Sequence, residues 1–454
     1  MSLGRPETIA AIATAPGRGG IGIVRIAGPE ALHIARAVTL TEPPPRVAKL
    51  AAFRDIDGQI IDSGIVIYFA GPGSFTGDDV IELQGHGGPI VLDMLLERVL
   101  ALGARMARPG EFSERAYLNG KIDLAQAEAI ADLIDSASRE AARGAARSMN
   151  GEFSTHIHAL VEDVTRLRIF VEACIDFPEE DIDLLADSDT QTRIEELISR
   201  IAHIEAIARS GRLLRDGINV LLAGKPNAGK SSLLNALSGS NTAIVSAIAG
   251  TTRDLIRERI LVDGMPIHIT DTAGLRDSPD EIEREGIRRA LAEAESTDLL
   301  LLVIDSSGPD DPDTVLRDHF STLGAELPPV CIVMNKCDLS GVTPGTIQDE
   351  GLRRVAVSAL TGHGMDTIRK VLSSAAGLAP AEGGGFSARR RHLDALERAR
   401  ESLLTAQENL LGRTGSELVA EDLRLVQQQL GEITGQLSSD ELLGRIFSSF
   451  CIGK

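Results

Sequence analysis

The string GKPNAGKS, at residues 224–231, is the feature that most restricts how this chain of 454 residues can fold. It follows the apolar run NVLLA and precedes the helical run SLLNAL, which is the strand–loop–helix setting of a phosphate-binding loop. Glycines let successive backbone N–H groups curve around phosphate oxygens, and the start of the next helix favours an anion. We expect Lys230 to neutralise the β- and γ-phosphates and the Ser231 hydroxyl to bind Mg²⁺, the alternative being a glycine-rich turn without a ligand.

The region from Asn219 to about Gly377 alternates apolar strands with helical stretches. This alternation is typical of a parallel sheet covered by helices on both faces. The strands are expected in five strings, NVLLAG, PIHITD, LLLLVID, PPVCIVMN and RRVAVS.

Three further motifs follow strands of this region in order. In DTAG, Asp271 is placed to reach Mg²⁺ through water, and the Gly274 N–H to meet the γ-phosphate. In NKCD, an ionised Asp338 can accept hydrogen bonds from guanine N1–H and the exocyclic amine, and adenine offers neither donor. The string Ser358-Ala359-Leu360 is suited to packing under the base. Residues 216–378 therefore resemble the Ras-like GTPase domain of the translation-factor type, with a mainly parallel sheet.

One position departs from the common GTPase pattern. Leu275 stands where many signalling GTPases have the glutamine that orients the attacking water, and leucine cannot hydrogen-bond water. The acidic stretch PDEIEREG (279–286) lies just downstream. It can supply a replacement carboxylate, or it can be an acid-rich start of a helix.

The flanking regions predict two other kinds of structure. Residues from Thr8 to about Leu118 show short β-branched runs broken by Gly and Pro, with a hairpin signal at Asp57-Gly58. Residues from Lys121 to about Arg215 are rich in Ala, Leu and Glu and predict helices, interrupted by the acidic segment FPEEDIDLLADSD. Beyond AEGGG (381–385) an apolar stripe recurs at helical spacing, formed by Leu393, Leu396, Ala399, Leu403, Ala406 and Leu410.

These regions predict a multidomain protein of α/β and all-α parts. Helices lie on both sides of the P-loop region, so we expect one discontinuous helical domain into which that region is inserted. The predicted domains are residues 1–118 (α/β), 119–215 (first helical part), 216–379 (nucleotide-binding) and 380–454 (second helical part).

Charge and cysteine content limit the environment and the partners of the chain. The formal net charge is −20 with a pI near 4.9, which argues against binding nucleic acid through bulk positive charge. Four scattered cysteines fit reduced thiols. We expect no signal peptide and no membrane span, and hence a cytoplasmic protein.

Longer strings resemble one particular family. The loop TAIVSAIAGTTRD, the N-terminal strings PGRGGIGIVRI, GPGSFTGDDVIELQGHGG and RPGEFSERAYLNGKIDLAQAEAI, and the C-terminal LLGRIFSSFCIGK are similar to those of the MnmE (TrmE) family. The resemblance extends over essentially the whole chain. It implies a bacterial GTPase that takes part in modifying the wobble uridine of certain tRNAs.

The resemblance also implies a nucleotide site that needs K⁺ and becomes active when two such domains meet across a homodimer. Mg²⁺ would be held by Ser231 and Thr252, K⁺ by Asn227, Ser246, Ile248 and Thr251, and Glu283 would be the catalytic residue that positions water. A monovalent cation can neutralise charge as an arginine finger does. The implied GTP-binding residues are Asn227, Ala228, Gly229, Lys230, Ser231, Ser232, Ser246, Ala247, Ile248, Ala249, Gly250, Thr251, Thr252, Asp271, Thr272, Ala273, Gly274, Asn335, Lys336, Asp338, Ser358, Ala359 and Leu360.

A second implied site lies in the N-terminal domain. It would bind 5-formyl- or 5,10-methylene-tetrahydrofolate through Arg25, Glu82 and Lys121, with the C-terminal Lys454 closing it, and the same domain would form the homodimer. Without the resemblance, Arg25 and Glu82 would be interpreted as exposed strand residues. Cys451 is either a small buried residue or a thiol near the folate. The string GRGGIG (17–22) only weakly indicates a dinucleotide-binding site, because a strand-like run, not a helix, follows it.

The family resemblance implies that the flavoprotein MnmG (GidA) forms a heterotetramer with the dimer and shares the tRNA reaction. Two arginine groups, Arg389-Arg390-Arg391 and Arg139, Arg143 and Arg147, are either contacts for tRNA phosphate or solvated faces. The alternative function is a regulatory switch GTPase in ribosome or RNA assembly.

Overall fold

The pair Asp57-Gly58 lies in a hairpin turn, as the sequence predicts. The Asp55 carboxylate accepts hydrogen bonds from the backbone N–H groups of Asp57 (3.0 Å) and Gln59 (2.8 Å), and Gly58 has φ +79°. The computed structural model that shows this describes residues 7–176, 188–238, 257–262, 264–271, 297–320, 328–349, 352–375, 385–412, 415–436 and 440–453. The turn joins the strands at residues 49–54 and 60–69, which form one edge of a six-stranded sheet.

That sheet is built by the N-terminal α/β region. Its elements are β1 (Ile9–Ile12), β2 (Gly19–Ala27), α1 (Ala31–Thr39), β3 (Lys49–Arg54), β4 (Ile60–Phe69), β5 (Val80–Gly87), α2 (Pro89–Ala101) and β6 (Arg105–Met106). The strand order is β3-β4-β5-β2-β1-β6, antiparallel except for the pair β1–β6. Helices α1 and α2 cover one face over fully buried side chains that include Phe53, Ile81 and Leu83.

Helices follow the first sheet and return at the end of the chain. They are α3 (Glu111–Leu118), α4 (Leu124–Asp135), α5 (Arg139–Met149), α6 (Glu152–Asp176), α7 (Ser188–Asp216), α12 (Arg390–Leu411), α13 (Ser416–Thr434) and α14 (Asp440–Ser448). The apolar stripe predicted on α12 is buried at every position, at most 8% exposed. Residues 177–187 of the predicted acidic segment, between α6 and α7, are not among the described residues.

A second sheet of seven strands forms the P-loop region. Its elements are β7 (Ile218–Ala223), α8 (Lys230–Ser238), β8 (Arg257–Val262), β9 (Met265–Asp271), β10 (Leu299–Asp305), α9 (Pro312–Phe320), β11 (Val330–Asn335), α10 (Cys337–Ser340), β12 (Gly345–Asp349), β13 (Leu352–Ala356) and α11 (Met365–Ala375). The order is β12-β13-β11-β10-β7-β9-β8, with parallel pairing throughout the centre.

The central strands of this sheet are apolar on both faces. In β10, Leu299, Leu301 and Val303 join one hydrophobic cluster, whereas Leu300 and Leu302 join another. Since successive strand residues point to opposite faces, both faces are covered, and this confirms the prediction made from near-continuous apolar runs. The antiparallel edge strands β8 and β12 were not predicted.

Contacts group the residues into two compact units, each made of several stretches. One consists of Met1–Ala131, Met149–Ile198 and Arg398–Lys454, and the other of Asp132–Ser148 and Ser199–Glu397. Within the described residues, no helix is both long and apolar enough to cross a membrane.

Candidate functional site

The P-loop joins the end of β7 to the start of α8, as predicted. Gly224 has φ +140° and Gly229 has φ +94°. A Cβ at Gly224 would lie 2.2 Å from the Val303 carbonyl oxygen, and one at Gly229 would lie 2.1 Å from Asn335 Nδ2. Backbone conformation and close approach therefore both require glycine at these positions.

Lys230 directs its ammonium into the curve of the P-loop. The side chain is buried, and Nζ donates hydrogen bonds to the carbonyl oxygens of Gly224 and Lys225, the latter at 3.1 Å. Ser231 and Ser232 occupy the exposed first turn of α8. A buried cation beside a helix N-terminus is the arrangement that binds phosphate oxygens, so the residues fit a nucleoside triphosphate.

Asn335, the first residue of NKCD, ties the P-loop to the loop that contains Ser358. Its buried side chain donates from Nδ2 to the Ala228 carbonyl at 2.9 Å and accepts at Oδ1 from the Ala359 N–H at 3.1 Å. Residues more than a hundred positions apart in sequence thus meet at the carboxyl ends of parallel strands. Ligands of open α/β sheets bind at this end.

Lys336 contacts the P-loop directly. Its Nζ donates to the Asn227 carbonyl oxygen at 2.9 Å and lies 2.6 Å from Asp305 Oδ2. The hydrogen bond from Lys336, followed by that from Ser307, holds the pKa of the Asp305 carboxyl below its usual 3.8. Asp305 was not among the site residues predicted from the sequence, although it ends the strand LLLLVID and lies beside Asn335 in the parallel register of β10 and β11.

The residues predicted to recognise the base surround the same edge of the sheet. Asp338 is exposed in the first turn of α10, Ser358 is fully buried, and Leu360 is 87% exposed. Ser358 Oγ accepts the Thr361 N–H at 3.1 Å and shapes the loop that carries Ala359 and Leu360.

Other predicted site residues lie outside the described part of the chain. Asp271 is described: this first residue of DTAG is the last residue of β9, so the motif begins at the end of a strand, as expected. The residues outside are Ser246, Ala247, Ile248, Ala249, Gly250, Thr251, Thr252, Thr272, Ala273, Gly274, Leu275, Glu283 and Lys454.

The predicted folate residues Arg25 and Glu82 are directly opposite each other on β2 and β5. Arg25 donates from Nε (3.1 Å) and Nη2 (3.0 Å) to Glu82 Oε1, and its guanidinium lies 5.7 Å from the centre of the Phe112 ring. Both side chains are partly buried, at 25% and 14% exposure, so they are not ordinary exposed strand residues.

The C-terminal residues reach this arginine. Arg25 Nη1 donates to the Gly453 carbonyl at 3.1 Å, and Phe447 and Phe450 pack on Leu124 and thereby hold the end of the chain. Cys451 is exposed, which disagrees with the interpretation of a small buried residue. Lys121 Nζ donates to the Pro72 carbonyl at 2.8 Å, and within the part of the chain that the structure describes no hydrogen bond joins it to Arg25 or Glu82.

Two arginines of the predicted groups, Arg147 and Arg389, make contacts within the fold. Arg147 donates to the Gly385 carbonyl, and Arg389 Nη2 lies 2.7 Å from Asp132 Oδ1. Arg390 has an 80% exposed side chain, which agrees with a solvated face. No group of three or more His, Cys, Asp or Glu side chains placed to hold a metal ion occurs among the described residues.

The P-loop, the NKCD motif and the strand order together define the chain as a P-loop GTPase, a GTP hydrolase. Comparison with known proteins narrows this class. Residues 8–121 match the family described as GTP-binding protein TrmE N-terminus, and residues 124–451 match the MnmE helical domain. The chain belongs to the MnmE (TrmE) family.

Individual relatives are similar along their full length. The tRNA modification GTPase MnmE of Marinobacter nauticus is 56% identical over 452 residues, covering 99% of both chains. The protein of the same name from Yersinia pestis is 54% identical over 451 residues, again covering 99% of both. Among solved structures, the G domain of the T. maritima FeoB iron transporter is 26% identical over 35% of this chain and 98% of that chain, with a TM-score of 0.27.

Proposed function

We propose that this chain is a potassium-activated GTPase that takes part in tRNA modification. With a flavoprotein partner of the MnmG kind, it would add a carboxymethylaminomethyl or aminomethyl group at C5 of the wobble uridine, using a one-carbon unit of tetrahydrofolate. The observation that carries the GTPase part is the double hydrogen bond of Asn335, which joins the phosphate loop to the base-recognition loop. The relatives named tRNA modification GTPase support the role in tRNA modification.

The nucleotide would lie along the carboxyl edge of the second sheet. Lys230 and the first N–H groups of α8 would bind its phosphates, and Asp338 would accept the two guanine donors. Ser231, at the exposed start of α8, and Thr252 would hold Mg²⁺, which supplies charge neutralisation at the β- and γ-phosphates.

The monovalent cation would be held by Asn227 together with Ser246, Ile248 and Thr251. Asn227 fits this role because its side chain is exposed at the P-loop, where it can offer an amide oxygen. Bound there, K⁺ supplies the positive charge that an arginine finger supplies in other GTPases. Glu283 would orient the attacking water, a role that Leu275 cannot perform.

The Arg25 cluster, defined as Arg25, Glu82, Phe112 and Gly453, is the proposed folate site. A guanidinium, a carboxylate and an aromatic face suit a ligand with an acidic tail and a pterin ring that both donates and accepts. Lys121 and Lys454 would add positive charge for the glutamate tail. We also propose that the N-terminal domain forms a homodimer, that the GTPase domain is inserted in the helical domain, and that the protein acts in the cytoplasm.

Two measurements on the purified chain, GTP turnover and folate binding, test the proposal. GTP turnover should be much faster in K⁺ than in Na⁺ at equal ionic strength, without an activator protein, and equal rates would remove the cation from the mechanism. The purified chain should also bind 5-formyltetrahydrofolate. A regulatory switch GTPase would not bind it, and tRNA from cells lacking the gene would then keep its modified wobble uridine.

A further inference from the structure

We propose that Asp305 is a positioning residue for the P-loop: its carboxylate directs the Lys336 ammonium at the Asn227 carbonyl and so fixes the conformation of Asn227. The part of this inference that concerns a cation at Asn227 rests on the proposed function. The conformational part stands on the contacts of the described residues alone.

The sheet register brings Asp305 to the P-loop. Asp305 ends β10 and lies beside Asn335, the last residue of β11, in a parallel pair. Strand β10 also pairs with β7, which leads into the P-loop. A side chain at the carboxyl end of β10 therefore lies between the loop that binds phosphate and the motif that recognises the base.

Each oxygen of the Asp305 carboxylate has a defined partner. Oδ1 accepts from the Ser307 N–H at 3.0 Å and from its hydroxyl at 2.6 Å, and Oδ2 lies 2.6 Å from Lys336 Nζ. Ser307 thus orients the carboxylate and the carboxylate orients the ammonium. Without this acceptor, a flexible four-carbon side chain that is 31% exposed would sample several directions.

Asn227 and Lys336 both have a left-handed backbone conformation that neighbouring contacts can hold. The φ of Asn227 is +64°, and that of Lys336 is +63°. The left-handed region is costly for most residues with a Cβ, less for asparagine than for lysine, and it persists where neighbouring groups hold it. The hydrogen bond from Lys336 Nζ to the Asn227 carbonyl, at 2.9 Å, joins these two residues of left-handed conformation.

The charge of Asp305 has a second consequence for a cation at Asn227. An ammonium that touches the Asn227 carbonyl would repel a cation bound by the same residue. The Asp305 carboxylate stays ionised at neutral pH, because hydrogen bonds from Lys336 and Ser307 lower its pKa, and it offsets the ammonium charge. Loss of the carboxylate would therefore weaken cation binding through both conformation and charge.

The same loop offers a matched control. Asp310 Oδ1 lies 2.6 Å from Nζ of Lys225, which belongs to the P-loop itself. The two aspartates have nearly equal side-chain exposure, 31% for Asp310 and 30% for Asp305. Asp310→Asn removes an ion pair with the P-loop but leaves the Lys336–Asn227 hydrogen bond in place.

Hydrogen exchange of the nucleotide-free, full-length protein tests the positioning role. In Asp305→Asn, amides of residues 224–231 should exchange at least about fivefold faster than in the wild type and in Asp310→Asn, as expected when a charge-assisted hydrogen bond is lost. Exchange in β10 and β11 should not change, and Asp305→Ala should behave like Asp305→Asn. Exchange of 224–231 within twofold of the Asp310→Asn value in both Asp305 variants would overturn the proposal.

Potassium titration of GTP turnover tests the consequence for the cation. In Asp305→Asn, the K⁺ concentration for half-maximal rate should rise about tenfold relative to the wild type. Asp310→Asn should match the wild type. An unchanged half-maximal concentration in Asp305→Asn would overturn this consequence, whereas equal wild-type rates in K⁺ and Na⁺ would overturn the proposed cation and leave the positioning role to the exchange experiment.

Discussion

At the scale of single residues, Asp338 is the carboxylate proposed to recognise guanine. Asp338→Asn should weaken GTP binding about tenfold or more, because an amide offers one acceptor oxygen and turns an N–H donor toward the guanine donors. Competition between GTP and ATP for the purified protein measures this change. Leu339→Ala, an exposed neighbour in the same turn, serves as the control, and an unchanged preference for GTP in Asp338→Asn would contradict the assignment.

Glu283 is the residue proposed to position water, and it lies outside the described residues. Glu283→Ala should leave GTP affinity nearly intact while lowering turnover about 10²–10⁴-fold, because a carboxylate that orients water acts mainly in the transition state. Single-turnover hydrolysis in saturating GTP and K⁺ measures the effect. The neighbours Glu281 and Glu285, each changed to Ala, are the controls, and a Glu283→Ala rate within about twofold of wild type would exclude the catalytic role.

At the scale of elements, a buried carboxylate fixes the start of α3. Glu111 is 2% exposed and accepts hydrogen bonds from the Arg105 guanidinium (2.6 and 2.8 Å) and from the Arg108 N–H (2.8 Å). Burial alone would raise the pKa of Glu111, but these hydrogen bonds outweigh it and lower the pKa from 4.5 to about 2. Ionised Glu111 therefore stabilises the fold above about pH 4.5, and this contribution is lost as the pH falls through about 2.

Glu111→Gln should accordingly lower the free energy of unfolding by about 2–3 kcal/mol at pH 7, with a smaller difference from wild type at pH 3. Urea unfolding followed by circular dichroism at both pH values measures it. Glu114→Gln, whose partner Arg108 is 65% exposed, should cost less than about 1 kcal/mol. A cost for Glu111→Gln that is the same at both pH values would show that its charge is not responsible.

A second buried carboxylate joins separate elements of the other compact unit. Asp132 Oδ1 lies 3.0 Å from Arg215 Nε and 2.7 Å from Arg389 Nη2, and Oδ2 accepts from the Ser387 hydroxyl at 2.8 Å. Asp132→Ala should destabilise this unit by about 2–4 kcal/mol, since it leaves two arginines without their shared partner. Asp135→Ala, at an exposed position of the same helix, should cost under about 1 kcal/mol in the same urea titration, and equal costs would contradict the role of Asp132.

The strands of the second sheet show which elements sequence patterns reveal. The buried strands were predicted because their apolar runs are nearly continuous, as in LLLLVID, which forms β10. The edge strands β8 and β12 were missed, since charged residues fill the first half of RERILV and GTIQD contains a single large apolar residue. An edge strand buries less surface, so its composition carries a weaker signal and its pairing partner decides its structure.

At the scale of the whole molecule, the two proposed sites should be separable by mutation. Arg25→Ala should weaken binding of 5-formyltetrahydrofolate at least about tenfold, because it removes the guanidinium of the Arg25 cluster. GTP turnover in K⁺ should stay within twofold of wild type. Equilibrium binding of the folate and a turnover assay on the same preparation measure both. Arg54→Ala is the control, since the Arg54 side chain donates to the nearby Gly58 carbonyl. Unchanged folate binding in Arg25→Ala would contradict the folate site.

The sequence by itself determined the GTPase motifs, their order after successive strands and the family of the chain. These features are local: glycines at 224 and 229 specify a loop conformation that few other residues can adopt, and apolar runs specify strands. Only the tertiary structure decided that Arg25 bonds to Gly453, 428 positions away, that Lys121 bonds to Pro72, and that Asp305 holds Lys336. Those contacts depend on strand register and helix packing, and sequence spacing carries no record of which distant side chains such packing brings within hydrogen-bond distance.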